Sequence, residues 1–148
     1  MNTFGNKTKP TVFLTHESHK LHKEFAVATA VYKTQPVKLN SAGAVVPLAA
    51  GDNRNLCIGI SIHNAKAGEN ATIMMKAFAT ILCKVDPDAS AALVAGPVQI
   101  KSYESDTTVT PAWGTNVVEA AAATDVDIFG IAIEGGVAGA YVEVIVNP

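Results

Sequence analysis

The sequence has few of the residues on which metal and nucleic-acid sites are usually built. Its 148 residues include two cysteines, one tryptophan and 6 % aromatic residues. Arg54 is the single arginine, and the lysines form no run of five, so neither arginine forks nor a dense basic stretch is available to grip phosphates. Cys57 and Cys83 lie far apart in strand-like runs, without the close spacing of a metal knuckle or redox pair. We therefore predict two buried free thiols and no direct contact with nucleic acid.

Long apolar stretches are also missing. No run approaches the roughly 20 apolar residues that a membrane-spanning helix needs. The segment Met1 to Lys7 lacks the continuous apolar part of a signal peptide. We therefore expect no membrane partner and synthesis in the cytoplasm.

The common catalytic and cofactor motifs are absent. Residues 135–139 are glycine-rich but precede a strand-like run, whereas a dinucleotide fingerprint must open a helix. Residues 51–55 lack the Gly-Lys-Ser/Thr ending of a phosphate loop, and no serine has the glycine-flanked elbow of a hydrolase. The acidic residues are scattered over turns and strand faces. These patterns favour a protein that is not an enzyme and that needs no cofactor.

Three histidines cluster near the N-terminus, at His16, His19 and His22, with Glu17 beside the first. The zinc-protease motif needs two histidines four residues apart on a helix, but the fourth residue after His16 is Lys20. On a helix the three histidines would share one face, which leaves adventitious metal binding open. We predict no genuine metal site.

Charge is distributed unevenly along the chain. Residues 1–38 hold six lysines and two glutamates, a balance of +4, whereas the remainder holds five cations and eleven acids, a balance of −6. Residues 1–24 show no sustained period of 2 or 3.6, and Val12-Phe13-Leu14 is their one apolar cluster. We interpret residues 1–24 as an extended basic arm that becomes ordered mainly on a partner. A first strand at Thr11–Thr15 that joins the domain is an equal alternative.

One building block occurs twice. Gly59-Ile60-Ser61-Ile62 is followed after five residues by a glycine and a strand-like run that starts at Gly68, and Gly130-Ile131-Ala132-Ile133 is followed in the same way by Gly139. Two strand-like runs joined by a short connection with glycine predict a β-hairpin. We therefore expect Gly68 and Gly139 to occupy corresponding hairpin connections.

Further matches extend the repeat upstream. Pro36–Leu39 corresponds to Pro97–Ile100, and we match Val45–Leu48 to Val109–Ala112. The residues from Phe25 onward alternate as in a strand. The whole pattern predicts one β-rich domain over residues 25–148, with pseudo-repeats at about 36–80 and 97–147.

Two segments between the strands contain helix signals. Asp86 can cap a helix, Pro87 suits its first position and Gly96 can end it, so we predict one short helix joining the halves. Val117–Ala123 fits either helix or strand, and we favour a loop with a helical turn. The predicted fold is mainly β, a small antiparallel barrel or sandwich of two pseudo-repeated halves joined by one short helix.

At this point the residues resemble a known family. The order of Pro47-Leu48, a polar loop, Gly59–Ile62, Asn64–Glu69 and a long strand is similar to the capsid decoration proteins of tailed bacteriophages, small β-rich domains of which some are described as β-tulips. The resemblance covers about residues 36–80, and more faintly 97–147. It implies a non-enzymatic virion protein that sits on the outer surface of the phage head and stabilises the expanded shell, often as a homotrimer bound to the major capsid protein.

Members of that family commonly carry an N-terminal arm that reaches across the capsid. The resemblance therefore implies that the arm supplies capsid contacts. The candidate contact residues are Lys7, Lys9, Val12, Phe13 and Leu14. The basic, histidine-containing start of this chain departs from the family pattern.

Two other functions remain open. A head-fibre base or other accessory virion protein would share the β domain, and a small-ligand-binding barrel would need an apolar cavity with a few convergent polar groups. Trp113 lies in a turn-rich stretch. It is either an interface anchor, since large amphipathic rings concentrate binding energy, or a lid over the end of the barrel.

Overall fold

The computed structural model describes residues 12–14, 22–75 and 79–146, and of residues 12–14 the backbone alone is considered. These residues form eleven β-strands and a single 3₁₀ turn at Arg54–Leu56, with no α-helix among them. The strands are β1 Val12–Leu14, β2 His22–Ala26, β3 Pro36–Leu39, β4 Val45–Pro47, β5 Gly59–Ser61, β6 Asn70–Met75, β7 Ala79–Val85, β8 Gly96–Asp106, β9 Trp113–Ala120, β10 Ile128–Ala132 and β11 Tyr141–Val146. The prediction of a mainly β fold is confirmed.

The first barrel consists of β2 to β6. Its five strands lie in the order β2-β6-β5-β3-β4, and all neighbouring pairs are antiparallel. A parallel bridge between Val27 and Val45 brings the two ends of the sheet together and closes it. Alternate side chains point inward, as strand geometry requires, and form a core that includes Val37 and Ile73.

The second barrel consists of β7 to β11 in the order β7-β11-β10-β8-β9. Parallel pairing of Lys84 with Val117 and of Val85 with Val118 closes it. Its interior is lined by β-branched and small side chains, such as Val98 and Val144, that fit the narrow lumen of a five-stranded barrel.

The two barrels share one topology, which confirms the pseudo-repeat. Val27 hydrogen-bonds through its backbone to Glu69 and Gly68, and Val85 bonds in the same way to Ala140 and Gly139. The same correspondence holds along the whole repeat, strand by strand. The matching strands are β2 and β7, β3 and β8, β4 and β9, β5 and β10, and β6 and β11.

Gly68 and Gly139 occupy corresponding turns, as predicted. Their φ angles are +88° and +79°, in the left-handed region that favours glycine. Each turn is closed by a 3.0 Å backbone bond, from Glu69 to Lys66 in the first barrel and from Ala140 to Val137 in the second. Glycine in the third position of such a turn is typical of type II geometry.

Gly59 and Gly130 are also equivalent, because they pair with the last residues of β6 and β11, Met75 and Val146. A Cβ on Gly59 would lie 2.1 Å from the backbone oxygen of Met74, and one on Gly130 would lie 2.4 Å from that of Ile145. Both glycines are therefore required by close approach of the neighbouring strand.

One sequence match is wrong. The partner of Val45–Leu48 is not Val109–Ala112 but the end of β9, since Leu48 donates a backbone bond to Pro36 and Ala121 donates one to Pro97. The cause is hairpin length: β8 has 11 residues and β3 has 4. Valine and proline at residues 109–112 recur in a loop that the first barrel lacks.

The predicted helix at Asp86–Gly96 is also wrong. The Asp86 carboxylate and carbonyl accept bonds from Asp88 and Ala89, which makes one turn. The chain then extends, because the N–H and carbonyl of buried Leu93 both bond to Gly136, at 2.8 and 3.0 Å. These long-range bonds override the local helix signals.

Val117–Ala123 does not form the favoured loop with a helical turn. Its first part completes β9, and Val117 and Val118 are buried where β7 and β9 close the barrel. Their branched side chains suit a strand that is buried on closure.

The N-terminal segment is described in part. The β1 backbone pairs antiparallel with β7 at Ala79–Ile81, as the alternative of a first strand anticipated. β2 begins at His22, within the stretch assigned to the arm. Lys7, Lys9, His16 and His19 lie outside the described residues, so the arm stays a prediction.

The barrels pack through apolar side chains that point out of the first barrel. Ile60 and Met74, a cross-strand pair on β5 and β6, are 2 % and 1 % exposed and join the core of the second barrel. Leu48 and Cys57 join the same cluster. Cys57 and Cys83 are both buried, as predicted, and burial raises the pKa of the Cys83 thiol.

Candidate functional site

A groove lies between the first barrel and the long β8–β9 hairpin. Its volume is about 570 Å³. One wall is formed by Lys33 and the loop Ile62–Asn64, and the other by residues 109–114, which include Trp113. The groove exists because β8 and β9 extend well beyond the length of β3 and β4 and reach over the first barrel.

Hydrogen bonds hold the two walls together. The Asn64 side-chain amide donates to the Ala112 carbonyl, and the Lys33 N–H donates to the Asn64 side-chain oxygen at 2.9 Å. Asn64 therefore links three backbone segments that are distant in sequence. The Thr110-Pro111 peptide bond, next to Ala112, is cis.

His63 orients the loop of the first wall. Its Nε2 accepts a bond from the Thr72 N–H at 3.0 Å, so the hydrogen of the neutral ring lies on Nδ1, which contacts the Asn64 carbonyl at 3.0 Å. In the second barrel the equivalent bond runs from the Glu143 N–H to the Glu134 carboxylate at 3.2 Å. Both barrels thus hold this loop by a bond from a backbone N–H to a side chain. That side chain is a histidine in the first barrel and an acid in the second.

Below the groove, polar contacts join the first barrel to β8 and β9. We call these contacts the polar seam. Tyr32 and Tyr103 stack with their ring centroids 5.9 Å apart, and the Tyr103 hydroxyl donates to the Lys33 carbonyl at 3.3 Å. The buried Asn116 side chain donates to the Thr34 carbonyl at 3.0 Å. Burial raises the pKa of Tyr103, so its hydroxyl stays protonated and remains a donor at any ordinary pH.

Trp113 is half-buried at the start of β9 and faces the groove. Its backbone pairs with Asp106. An aromatic side chain in this position can contribute to an interface. Both interpretations of Trp113, an interface anchor and a lid, stay predictions.

The structure separates the other candidate residues. Gly68 and Gly139 lie in turns of different barrels, and β1 lies on β7. His22 is exposed on β2. Among the described residues, no three histidine, cysteine or acidic side chains are grouped so that they could hold a metal ion.

The sequence did not point to Asn64, Tyr103 or Asn116. Their bonds span 48, 70 and 82 residues, so no local pattern reveals them. Residues 101–106 are polar apart from Tyr103 and do not alternate, so the extended hairpin had no clear local signal either.

A second cavity, of about 420 Å³, lies beside residues 86–93 and the end of β9. Lys101 contacts the carboxylates of Asp86 and Glu119 there, each at 3.5 Å. The charge of Glu119, followed by that of Asp86, raises the pKa of Lys101.

No helix within the described ranges has the length and apolar character needed to cross a bilayer.

The fold resembles a known phage structure. The chain superimposes on the crystal structure of the N base of head fibre gp8.5 in bacteriophage phi29, with a TM-score of 0.52 and 11 % sequence identity. The match covers 85 % of this chain and 92 % of the other. At this identity the likeness shows a common fold. The sequence matches no known protein family and no curated protein.

Proposed function

We propose that this chain is a structural virion protein that binds the outer surface of a phage head and stabilises the expanded shell. The observation that supports the proposal is the fold, since the match to a head-fibre base covers 85 % of this chain. A structural role also agrees with the absence of catalytic motifs from the sequence. The chain would be made in the host cytoplasm and added to the head as a homotrimer.

The partner would be the major capsid protein, and the arm would supply part of the contact. Lys7 and Lys9 carry positive charge, and Val12–Leu14 would align the arm by pairing with β7. A single arm contributes modestly, but three arms on one trimer bind repeated sites with a gain on the order of 10²-fold. The groove at Trp113 would be a second contact surface.

Two truncations separate these contributions. Removal of residues 1–11 takes away Lys7 and Lys9 but keeps β1, whereas removal of residues 1–20 removes β1 as well. Both proteins are mixed with expanded shells of the same phage and assayed by co-sedimentation and by the temperature at which the shells break.

We expect both truncations to fold, removal of residues 1–11 to weaken shell binding and removal of residues 1–20 to abolish most of it, with shells that are disrupted at lower temperature. The full chain bound to the same shells is the control. Full occupancy by both truncations would move the contact to the barrels, where Trp113→Ala is the next variant. A full-length chain that binds no shell would refute the proposal.

A head-fibre base is the second candidate function, and the match to such a base favours it. A base must hold a distal fibre as well as the capsid. If this chain is a base, it will bind the shell without raising its disruption temperature, and it will retain a further virion protein in purified heads. A small-ligand barrel is less well supported, because the groove is an open cleft between barrels.

A further inference from the structure

The outer face of β10 and β11 leaves apolar side chains in water. Ile131 and Ile145 form a cross-strand pair, and Ile133 lies two residues along on the same face. Ile131 is 44 % and Ile133 48 % exposed. We call this surface the isoleucine face.

The equivalent surface of the first barrel is covered. Ile131 and Ile145 are equivalent to Ile60 and Met74, which also form a cross-strand pair. In the first barrel that pair is buried against the second barrel. Each barrel therefore offers the same apolar pair, and within one chain the pair of the second barrel has no barrel to cover it.

Ile133 extends the comparison. Its N–H bonds to the Glu143 carbonyl just as that of Ile62 bonds to the Thr72 carbonyl, so the two isoleucines are equivalent. Ile62 is partly buried against the core cluster that both barrels share. Three positions thus remain apolar in both copies, which indicates a surface that is covered.

The charges of the two barrels indicate what covers the isoleucine face. Residues 79–146, the second barrel, hold two cations and nine acids, whereas residues 22–75, the first barrel, hold five cations and three acids. Glu143, next but one to Ile145 on β11, is itself only 6 % exposed, and Glu134 in the adjoining loop accepts a bond from its N–H, so the charge argument rests on the second barrel as a whole. An acidic barrel with an apolar face is complementary to a more basic barrel, and opposite fields favour and steer such contacts.

The first barrel of another copy offers matching apolar side chains. Its exposed large apolar residues, within the described residues 22–75, are Leu39 and Leu56. They lie at one end of the barrel, because the β3–β5 register that pairs Val37 with Gly59 continues towards the turn that carries Leu56.

We propose that the isoleucine face binds the first barrel of a second copy of this chain, around Leu39 and Leu56. This inference deepens the self-association in the proposed function by naming its surface. The contact is head-to-tail, since two different surfaces meet. Such an interface gives a closed ring if the rotation between copies closes, and a homotrimer would be the smallest ring beyond a pair.

The first test is self-association of the purified full chain without any shell. The variant Ile131→Lys/Ile133→Lys places two charges in the apolar contact, and Val137→Lys, at a residue 68 % exposed in the turn that contains Gly139, is the matched control. Sedimentation velocity over a dilution series measures the dissociation constant, and circular dichroism checks the fold.

We expect the double variant to dissociate at concentrations at least about 100-fold higher than the wild type, roughly tenfold for each isoleucine lost from the contact. Val137→Lys should associate as the wild type does. Association of the wild type should also weaken as salt is raised, because salt screens the attraction between the acidic second barrel and the more basic first barrel. Unchanged association of a folded double variant would overturn the proposal.

The second test identifies the partner surface. Chains with Leu39→Cys and chains with Ile133→Cys are mixed and treated with a short bismaleimide. A mixed dimer is expected, and replacing Leu39→Cys by Val137→Cys should abolish it. Equal cross-linking of both pairs, or of neither, would refute the assignment.

The outcomes distinguish this inference from shell binding. Self-association is measured without capsid, so it can hold even if no shell is ever bound. A wild-type chain that stays monomeric, while the double variant loses shell occupancy, would show that the isoleucine face binds capsid and not a second copy.

Discussion

The two barrels keep one strand order but differ in one hairpin and in charge. The pairing of β3 with β4 reaches only to Leu39, whereas the pairing of β8 with β9 continues to Asp106 and Trp113. The longer hairpin reaches over the first barrel and builds the groove. The acidic residues lie mostly in the second barrel. The two halves therefore share their strand order, while one long hairpin and the surface charge make them different.

The largest expected effect tests the close approach of neighbouring strands that both barrels share at a glycine. Gly59→Val and Gly130→Val should each prevent stable folding, because the new side chain would meet the backbone oxygen of Met74 or Ile145. We expect a loss of about 4 kcal/mol or more in the free energy of unfolding, as overpacking against backbone cannot relax. Urea titration of the soluble fraction measures it. A Gly130→Val protein with wild-type stability would show that the two glycines are not equivalent.

The next effect tests the seam that the long hairpin adds. Asn116→Ala should lower the free energy of unfolding by about 1–3 kcal/mol, because the buried bond to the Thr34 carbonyl is lost. The measurement is chemical denaturation, with Asn64→Ala at the rim of the groove as the comparison. A loss below about 0.5 kcal/mol for Asn116→Ala would contradict a net contribution of this side chain, whose buried Oδ1 has no hydrogen-bond partner.

The two turns allow a matched test of equivalence. Gly68→Ala and Gly139→Ala should each cost about 1 kcal/mol, because the residue keeps a positive φ while no neighbouring atom lies within 4 Å of the added carbon. The expected result is equal losses in melting experiments. A difference of more than about 1 kcal/mol between the two would mean that one turn is relaxed by its surroundings.

The smallest effect is specific to the first barrel. Lys38 contacts Asp52 at 2.6 Å, and this bond lowers the pKa of Asp52, whereas the residue equivalent to Lys38 is Gln99, bonded to Glu119. Because the folded-state pKa is the lower one, the stabilisation is present above the unfolded pKa near 3.8 and is lost as the pH falls through the folded value.

Asp52→Asn should therefore reduce stability at pH 7 by about 0.5–1 kcal/mol, since the pair is partly exposed. The difference from the wild type should shrink below pH 4. Thermal melts at pH 7 and pH 3 measure it. A difference that grows on acidification would contradict a lowered pKa of Asp52 in the folded protein.

Local signals predicted the parts of the fold that depend on neighbours in sequence. The hairpins at Gly68 and Gly139 follow from alternation and turn glycines. The helix at Asp86–Gly96 failed because Leu93 is bound to Gly136, far along the chain. The groove was not predictable, as Asn64 and Ala112 come together through tertiary packing.

The edge of β7 has a further consequence. β1 covers Ala79–Ile81, but in the first barrel no described strand covers the equivalent edge of β2, where His22 and Lys23 are exposed. An uncovered edge is a template for pairing with another chain, and charged side chains discourage it. Lys23 places a charge on this edge, and we expect an apolar residue there to make edge-to-edge pairing between concentrated copies easier.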